Sequence, residues 1–200
     1  MTELVDRIYF QELAEQDPGE VCQRALCFYD AADRFYGLSV WGTPYRIYPH
    51  LGRIEGMGRK SPGLHAYFDL FMVHYLLGAK EIETTGQWIS EKDIPGGSAF
   101  FRGPHAIPTH LISSLYNNNI QGFKNRCEQL KGSPLDLADA AFGFEITSRI
   151  PAAVLYWAGD EEFPGEAKIL YDKTIGRHLA LDIIYALATG ICQRLGKSPG

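Results

Sequence analysis

The sequence has no run of lysines or arginines and no long apolar stretch. Its 200 residues carry 19 basic and 24 acidic side chains, for a formal net charge of −5. A surface that tracks nucleic-acid phosphates needs a basic stripe, and a membrane span needs roughly 18 consecutive apolar residues. The N-terminus also lacks the basic and apolar regions of a signal peptide. We therefore expect a cytoplasmic protein with neither nucleic acid nor a membrane as its partner.

Cysteine is scarce and scattered. The four cysteines are Cys22, Cys27, Cys127 and Cys192, and they match no zinc or iron–sulfur spacing. Only Cys22 and Cys27 are near each other in sequence. On a continuous helix a five-residue offset separates two side chains by about 140°, so their thiols would not converge. The sequence therefore predicts buried, reduced and inert cysteines.

The common catalytic motifs are also missing. The chain has no GxSxG elbow, Walker loop, dinucleotide fingerprint, HExxH pair or Cys–His nucleophile motif. Gly52, Gly56 and Gly58 precede a predicted helix, but their spacing matches neither standard phosphate-binding pattern. This stretch is interpreted as a flexible connection, with anion binding at the helix N-terminus as the alternative. Whether the protein is an enzyme stays open.

What the sequence does contain is a globular composition, with 46% hydrophobic, 12% aromatic and 22% charged residues. A chain of this length buries a substantial core, and no repeat or linker divides it. We therefore expect one domain over residues 1–200, with helices in residues 1–35. Helices followed by strands with hairpin-length connections predict an α+β fold, in which helices pack on an antiparallel sheet.

Apolar periodicity and turn residues predict the individual elements. In chain order they are two helices within 3–35 separated at Asp17 and Pro18, strands near 37–41 and 44–49, a helix from Ser61 to Gly78 with Pro62 at its first position, a strand at 88–90, a long loop at 91–108, helices at 108–116 and 120–131, strands at 142–150, 152–157 and 166–172, and a helix at 175–195.

Three consecutive carboxylates, Asp160, Glu161 and Glu162, lie between two of the predicted strands. The strand before them is apolar on both faces, which places it inside the sheet and the carboxylates in a hairpin loop. Gly159 allows a tight entry to this loop, and Asp160 can cap backbone amides within it.

The two glutamates of this loop leave three alternatives open. Glu161 and Glu162 are solvated, or paired with an arginine, or bound to a hard cation. The candidate arginines are Arg102, Arg149 and Arg177. The cation site would consist of Asp160, Glu161, Glu162 and Asp172.

Histidines supply a second set of candidates. His65 and Asp69 are four residues apart on a predicted helix, where an aspartate can orient an imidazole as a base or as a metal ligand. His105 and His110 lie in and just after the long loop, near Arg102, where they could bind an anion. Ordinary surface hydrogen bonds are the alternative for both groups.

The order of "TGQWIS", a glycine-rich loop, "IPTHL" and the block W-x-G-D-E-E-F-P … L-Y-D at residues 157–172 resembles an uncharacterised bacterial and archaeal family, domain of unknown function 3786. The resemblance covers about residues 37–195. It implies similarity to proteins found mostly in anaerobes, some of which carry an iron–sulfur domain related to those of corrinoid proteins. Because this chain lacks clustered cysteines, any cluster would belong to an iron–sulfur or corrinoid protein partner.

These observations favour an accessory ligand- or cofactor-binding module in anaerobic redox or one-carbon metabolism. The ligand classes to try first are a corrinoid and haem, in an aromatic-lined pocket near the long loop. The residues expected to bind the ligand are Trp88, Arg102, His105, His110, Trp157 and His65. Two alternatives remain: a metal-dependent enzyme that uses the acidic hairpin with a divalent cation, and a protein-interaction domain.

Overall fold

The computed structural model describes residues 4–57 and 65–197, and these form an α+β domain with two antiparallel sheets. The helices are α1 (Arg7–Glu15), α2 (Pro18–Ala25), α3 (Ala66–Gly78), α4 (Gly97–Phe100), α5 (His110–Tyr116), α6 (Ile120–Gln129), α7 (Ile175–His178) and α8 (Leu181–Leu195). The strands are β1 (Phe28–Asp30), β2 (Phe35–Val40), β3 (Thr43–Tyr48), β4 (Arg53–Gly56), β5 (Trp88–Ile89), β6 (Ser133–Leu135), β7 (Ala140–Thr147), β8 (Ile150–Trp157) and β9 (Glu166–Asp172).

The N-terminal segment forms the two predicted helices, but the second is shorter than expected. Asp17 caps α2 by accepting a hydrogen bond from the Glu20 amide at 2.9 Å, and Pro18 is the first helical residue, as predicted. Helical periodicity had also placed Phe28 in a helix, which is wrong: α2 ends because Leu26 adopts a left-handed conformation, and Phe28 begins β1.

This early end of α2 also overturns the prediction about the neighbouring thiols. The Sγ atoms of Cys22 and Cys27 lie 3.8 Å apart. The 140° separation applies only to a helix that continues through both residues, whereas the chain reverses direction at Leu26 before it reaches Cys27.

The first sheet has the strand order β1-β2-β3-β4. Its edge strand β4 lies in the stretch that was interpreted as a flexible connection; that interpretation is wrong for Arg53–Gly56, because these residues pair with β3. Both predicted strands of its central hairpin are present. Trp41 and Gly42 form the two-residue turn with φ angles of 51° and 68°, and Val40 pairs with Thr43 on either side. Two positive φ values in succession are the signature of a type I′ turn, which follows the right-handed twist of the strands.

Helix α3 begins at Ala66 in the described part of the chain. The predicted cap Ser61 and the predicted first residue Pro62 lie outside the described residues. His65 precedes the helix, and its Nδ1 accepts a hydrogen bond from the Tyr67 amide at 3.3 Å. The predicted end at Gly78 is confirmed.

The second sheet has the order β5-β9-β8-β7-β6, so that β8 is its central strand. This confirms the expectation drawn from its two apolar faces. The sequence predicted one sheet, however, and the structure has two. It also missed β6, a three-residue edge strand that contains Pro134 and therefore shows little strand propensity.

Trp41 joins the two sheets. Its backbone N–H donates to the Ile146 carbonyl on β7 at 2.8 Å, and its indole N–H donates to the Leu130 carbonyl at 3.1 Å. The ring also contacts Phe144 on β7 and Phe68 on α3, with centroids 4.9 and 6.0 Å away. One hydrophobic cluster therefore spans both sheets and the helices between them.

Helix α8 packs along α3 at the centre of the molecule. Gly190 allows this approach, because a Cβ atom there would lie 2.7 Å from the Phe68 ring. The predicted single helix at 175–195 is in fact two, α7 and α8, since Leu179 and Ala180 have extended backbone angles. No helix of the described residues is long and apolar enough to cross a membrane.

Candidate functional site

The acidic loop connects β8 and β9, as predicted. The Asp160 carboxylate accepts hydrogen bonds from the Glu162 and Phe163 amides at 2.8 and 2.7 Å. These two bonds hold the pKa of Asp160 below its ordinary value. The expectation that Asp160 caps the turn is therefore confirmed.

The base of the hairpin lies against the connection between α5 and α6. A Cβ atom on Gly159 would lie 2.6 Å from the Gly165 nitrogen and 3.0 Å from the Asn118 side chain. Glycine is thus required here by close packing. Tyr156 donates a hydrogen bond to the Asn117 carbonyl and anchors the base further.

Glu161 and Glu162 at the tip are exposed, and so is Phe163, at 67%. Neither glutamate forms an ion pair within residues 4–57 and 65–197. The predicted partner Arg149 lies at the opposite end of β8, where it is only 4% exposed. Its side chain donates to the Arg24 and Ile82 carbonyls at 2.7 Å each, and it therefore stabilises a different part of the fold.

Asp172 lies at the end of β9 that is remote from the hairpin. Seven residues of strand at about 3.4 Å each separate it from the loop by roughly 20 Å. Its carboxylate accepts hydrogen bonds from the Thr85 amide, the Gly86 amide and the Thr174 hydroxyl at 2.9, 2.7 and 2.8 Å. Burial by itself raises the pKa of Asp172, but hydrogen bonds from Thr174 and Thr85 outweigh burial and lower it.

The structure therefore does not bring Asp160, Glu161, Glu162 and Asp172 together. Throughout the described part of the chain, no group of three or more His, Cys, Asp or Glu side chains is arranged to hold a metal ion.

Trp88 and Trp157 lie on the outer face of the second sheet. Trp88 pairs with Asp172 and Trp157 pairs with Glu166, so the two indoles are near opposite ends of β9. Both pack around a small cluster that contains the buried residues Ala141, Ala153 and Leu155. They do not form one pocket with the long loop.

The segment 91–109, of which residues 91–108 were predicted as a loop, contains α4 and two short 3₁₀ turns. It lies beside the part of β9 that β5 leaves unpaired. A cavity of about 260 Å³ separates this segment from β9, with Phe101, Ile107 and Lys168 among its lining residues. This volume falls below the usual range of small-molecule pockets, about 300–1,000 Å³.

Two of the predicted histidines belong to a continuous row of rings, which we call the aromatic strip. Successive ring centroids in it are 4.8, 6.4, 5.6 and 4.5 Å apart. Its members, in spatial order, are His65, Tyr67, Tyr185, His105 and Phe100. His105 is exposed, and the other four rings are half-buried. The strip thus presents ring surface to solvent across three separate segments of the chain.

Tyr185 holds the strip together. It lies on α8, contacts Tyr67 on α3 and His105 on the 91–109 segment, and donates a hydrogen bond to the Pro104 carbonyl at 3.3 Å. Phe100 stacks on His105 with only 17° between the ring planes. This tyrosine therefore connects the 91–109 segment to the helices.

The two histidines of the strip have different chemistry. Because Nδ1 of His65 accepts the Tyr67 amide hydrogen, the neutral ring carries its proton on Nε2. The His105 ring forms no hydrogen bond to any described residue, so both of its nitrogens are available. His65 therefore acts as a helix cap, whereas His105 can accept a bond.

The predicted pairing of His65 with Asp69 does not form a hydrogen bond. Asp69 lies inside α3, and burial raises its pKa to about 6. His65 instead turns toward the Tyr67 amide at the start of the helix. Arg102 and His110 are exposed on either side of His105 in sequence and lie outside the ring contacts of the strip.

Sequence reasoning missed Tyr67 and Tyr185, which connect the two histidines. Tyr67 is two residues after His65, and Tyr185 lies on an amphipathic helix 80 residues after His105. Nothing in the local pattern links these positions, because the contact depends on how α3 and α8 pack.

A family model described as "Domain of unknown function (DUF3786)" matches residues 17–194, and the chain belongs to this family. The match begins earlier than the resemblance at about residue 37 and includes α2 and β1. No curated protein matches the chain. No solved structure matches it either.

Proposed function

We propose that this protein is a ligand-binding module without catalytic chemistry of its own, and that a flat conjugated ligand packs against the aromatic strip. The observation that carries the proposal is the continuous ring contact from His65 through Tyr67 and Tyr185 to His105 and Phe100. Haem and a corrinoid are the first ligands to test.

Aromatic contact, face-on or edge-on, is the physical basis of this binding. Aromatic pairs with centroids 4.5–7 Å apart contribute about 0.5–1.5 kcal/mol beyond the burial of their area. Successive ring planes from His65 to His105 are tilted by 51°, 60° and 87°, so a planar ligand would meet some rings face-on and others edge-on. Both arrangements add such terms and remove apolar ring surface from water. Tyr185 supports this role because its hydrogen bond to Pro104 holds the rings in place before a ligand arrives.

His105 is the residue that would contact the metal of a tetrapyrrole. The metal of such a ligand can bind a neutral imidazole nitrogen. The exposed His105 ring has no competing hydrogen bond within the described residues, and it fits this requirement. His65 does not, because its cap leaves only an N–H at Nε2. When bound, the metal would supply the redox or ligand-exchange chemistry, and the chain would hold and orient it.

The aromatic strip is tested by titrating the anaerobically purified protein with haem and separately with cobalamin, followed by absorption spectroscopy. We expect saturable binding, weakened about tenfold in His105→Ala and in Tyr185→Leu, since each removes on the order of 1.4 kcal/mol. His110→Ala is the matched control, because His110 is an exposed histidine outside the strip. Circular dichroism checks that each variant is folded.

The proposal fails if neither probe binds, or if both bind equally well to wild type and to the two strip variants.

The proposed partner is an iron–sulfur or corrinoid protein that delivers or uses the ligand. The exposed acidic tip of the β8–β9 hairpin supports a contact with a basic surface, because Glu161 and Glu162 directly precede the exposed Phe163. Such a complex is expected to weaken as salt rises from 50 to 500 mM in sedimentation measurements. A complex insensitive to salt, or to Glu161→Gln with Glu162→Gln, would rule out this docking mode.

A further inference from the structure

Cys22 and Cys27 form a close thiol pair at the end of α2. Cys22 lies in the last turn of the helix, and both thiols are free and half-buried. Their Sγ atoms are 3.8 Å apart. A disulfide bond is about 2.05 Å long, so the two sulfurs need to approach by only about 1.8 Å to form one.

The backbone, and not only the side chains, brings the thiols together. Leu26 has φ 51° and ψ 52°, and the amides of both Leu26 and Cys27 donate to the Cys22 carbonyl, the latter at 3.2 Å. The left-handed conformation costs a residue with a side chain roughly 1–2 kcal/mol, and glycine is the usual choice at such a helix end. The chain therefore adopts an unfavourable conformation at the position that turns Cys27 back toward Cys22.

Tertiary contacts hold the segment between the two cysteines in place. The Arg24 guanidinium donates to the Leu76 and Leu77 carbonyls at 2.7 and 3.1 Å, at the end of α3. The Arg24 carbonyl in turn accepts from the buried Arg149 at 2.7 Å. The close approach of the thiols is therefore built into the packing of α2 against α3 and the β7–β8 turn.

The surroundings favour a bond between two thiols over a metal site. In the described chain no third His, Cys, Asp or Glu completes a metal-binding group with the pair. The other two cysteines, Cys127 and Cys192, are 0% exposed. Two accessible thiols that contact each other without a further metal ligand are suited to form a disulfide bond.

We propose that Cys22 and Cys27 are a redox modification site, at which a reversible disulfide forms by exchange with a low-molecular-weight disulfide such as oxidised glutathione. One thiol loses its proton and attacks a glutathione sulfur, which releases one glutathione thiolate and leaves a mixed disulfide. The second cysteine, after losing its proton, attacks the protein sulfur of that intermediate and releases the second glutathione. The pair is oxidised by two electrons, and one glutathione disulfide is reduced to two thiols.

The local environment sets the rate of this exchange. Burial raises the pKa of both thiols, so each is largely protonated at neutral pH. Because the thiolate is the attacking species, exchange is slow at pH 7 and accelerates as the pH rises.

The Cys22–Cys27 disulfide would also restrain the contact between α2 and α3. It closes a ring over residues 22–27, which contains Arg24 and the left-handed Leu26. Oxidation therefore restrains the end of α2 where it binds the carboxyl end of α3 through Arg24.

The test is to equilibrate the full chain at pH 8 in buffers with different ratios of reduced to oxidised glutathione. Free thiols are then counted after denaturation, and the bond is located by peptide mass spectrometry. We expect the count to fall from four to two, a Cys22–Cys27 bond, and full recovery with dithiothreitol. Cys127 and Cys192 serve as internal controls that stay reduced.

Single variants make the result specific. Cys22→Ser is expected to stop at a mixed glutathione disulfide on Cys27, and Cys27→Ser at one on Cys22, since the resolving thiol is missing. Four thiols at every ratio would overturn the proposal. So would glutathione adducts on wild-type Cys22 and Cys27 without a bond between them, or a bond that includes Cys127 or Cys192.

Discussion

Asp172 is a buried carboxylate whose surroundings favour the charged form. It is 2% exposed and accepts hydrogen bonds from Thr85, Gly86 and Thr174. These bonds tie the end of β9 to the chain that leads into β5. One of the three alternatives drawn from the sequence placed this aspartate in a cation site, but the donors around it are backbone amides and hydroxyls. Its role in the structure is to join two segments.

Asp172→Asn is expected to destabilise the protein by at least about 2 kcal/mol at pH 7, because hydrogen bonds to a charged acceptor are worth about 1.5–3 kcal/mol each. The folded-state pKa of Asp172 is lowered from 3.8. Its stabilising effect is therefore present above pH 3.8 and is lost as the pH falls through the lower folded-state value. The measurement is urea unfolding at pH 7, 5 and 3. The difference in the free energy of unfolding between wild type and variant should become smaller as the pH falls.

The exposed Asp136 provides the matched control, and Asp136→Asn should change stability by less than about 0.5 kcal/mol. This account of Asp172 would be contradicted if wild type and Asp172→Asn differed in the free energy of unfolding by the same amount at pH 3 as at pH 7.

At the residue level, local patterns predicted local contacts well. Asp17, Pro18 and Asp160 act as expected because caps and Asx turns depend on the next few residues only. The prediction that the thiols of Cys22 and Cys27 would not converge was wrong, because one left-handed residue, Leu26, ended the helix before Cys27. Propensity gives no signal for a leucine in that conformation.

Among the elements, the β2–β3 hairpin connects the two sheets through its turn. Its turn residue Trp41 is 5% exposed and reaches the second sheet, where it contacts Ile146 and Phe144. A hairpin turn is usually exposed, and here it forms part of the core instead. This single turn therefore couples the two sheets.

Trp41→Ala is expected to lower the free energy of unfolding by about 3–5 kcal/mol, through the cavity it leaves and the lost hydrogen bond to Leu130. Trp88→Ala is the comparison, because Trp88 is half-buried on the outer face of the second sheet and should cost clearly less. Urea denaturation followed by circular dichroism measures both. Equal losses in the two variants would show that Trp41 does not couple the sheets.

Periodicity and turn signals located most elements, because α3, β7, β8 and β9 have long apolar patterns. The features that the sequence did not predict have identifiable causes. Strand β6 has three residues and a proline, and the break between α7 and α8 lies at Leu179 and Ala180, which carry no helix-breaking residue type. His178 accepts the Lys80 amide hydrogen beside that break, a contact across 98 residues that periodicity cannot reveal.

At the scale of the whole molecule, the sequence predicted the α+β class and the central position of β8, but not the division into two sheets. The aromatic strip shows the same limit. His65 and His105 were candidates because of their residue type, yet Tyr67 and Tyr185 join them only once α3, α8 and the 91–109 segment have packed. Packing across distant segments decides which candidates share a site.

The proposed function requires that the ligand bind at the aromatic strip. The most direct measurement is a nuclear magnetic resonance titration with a diamagnetic cobalt(III) corrinoid, following the aromatic ring resonances of the protein. The account predicts that His105, Tyr185, Tyr67 and Phe100 shift together and saturate at one equivalent. Shifts confined to Trp88 and Trp157, to the acidic hairpin, or to no ring at all would contradict it.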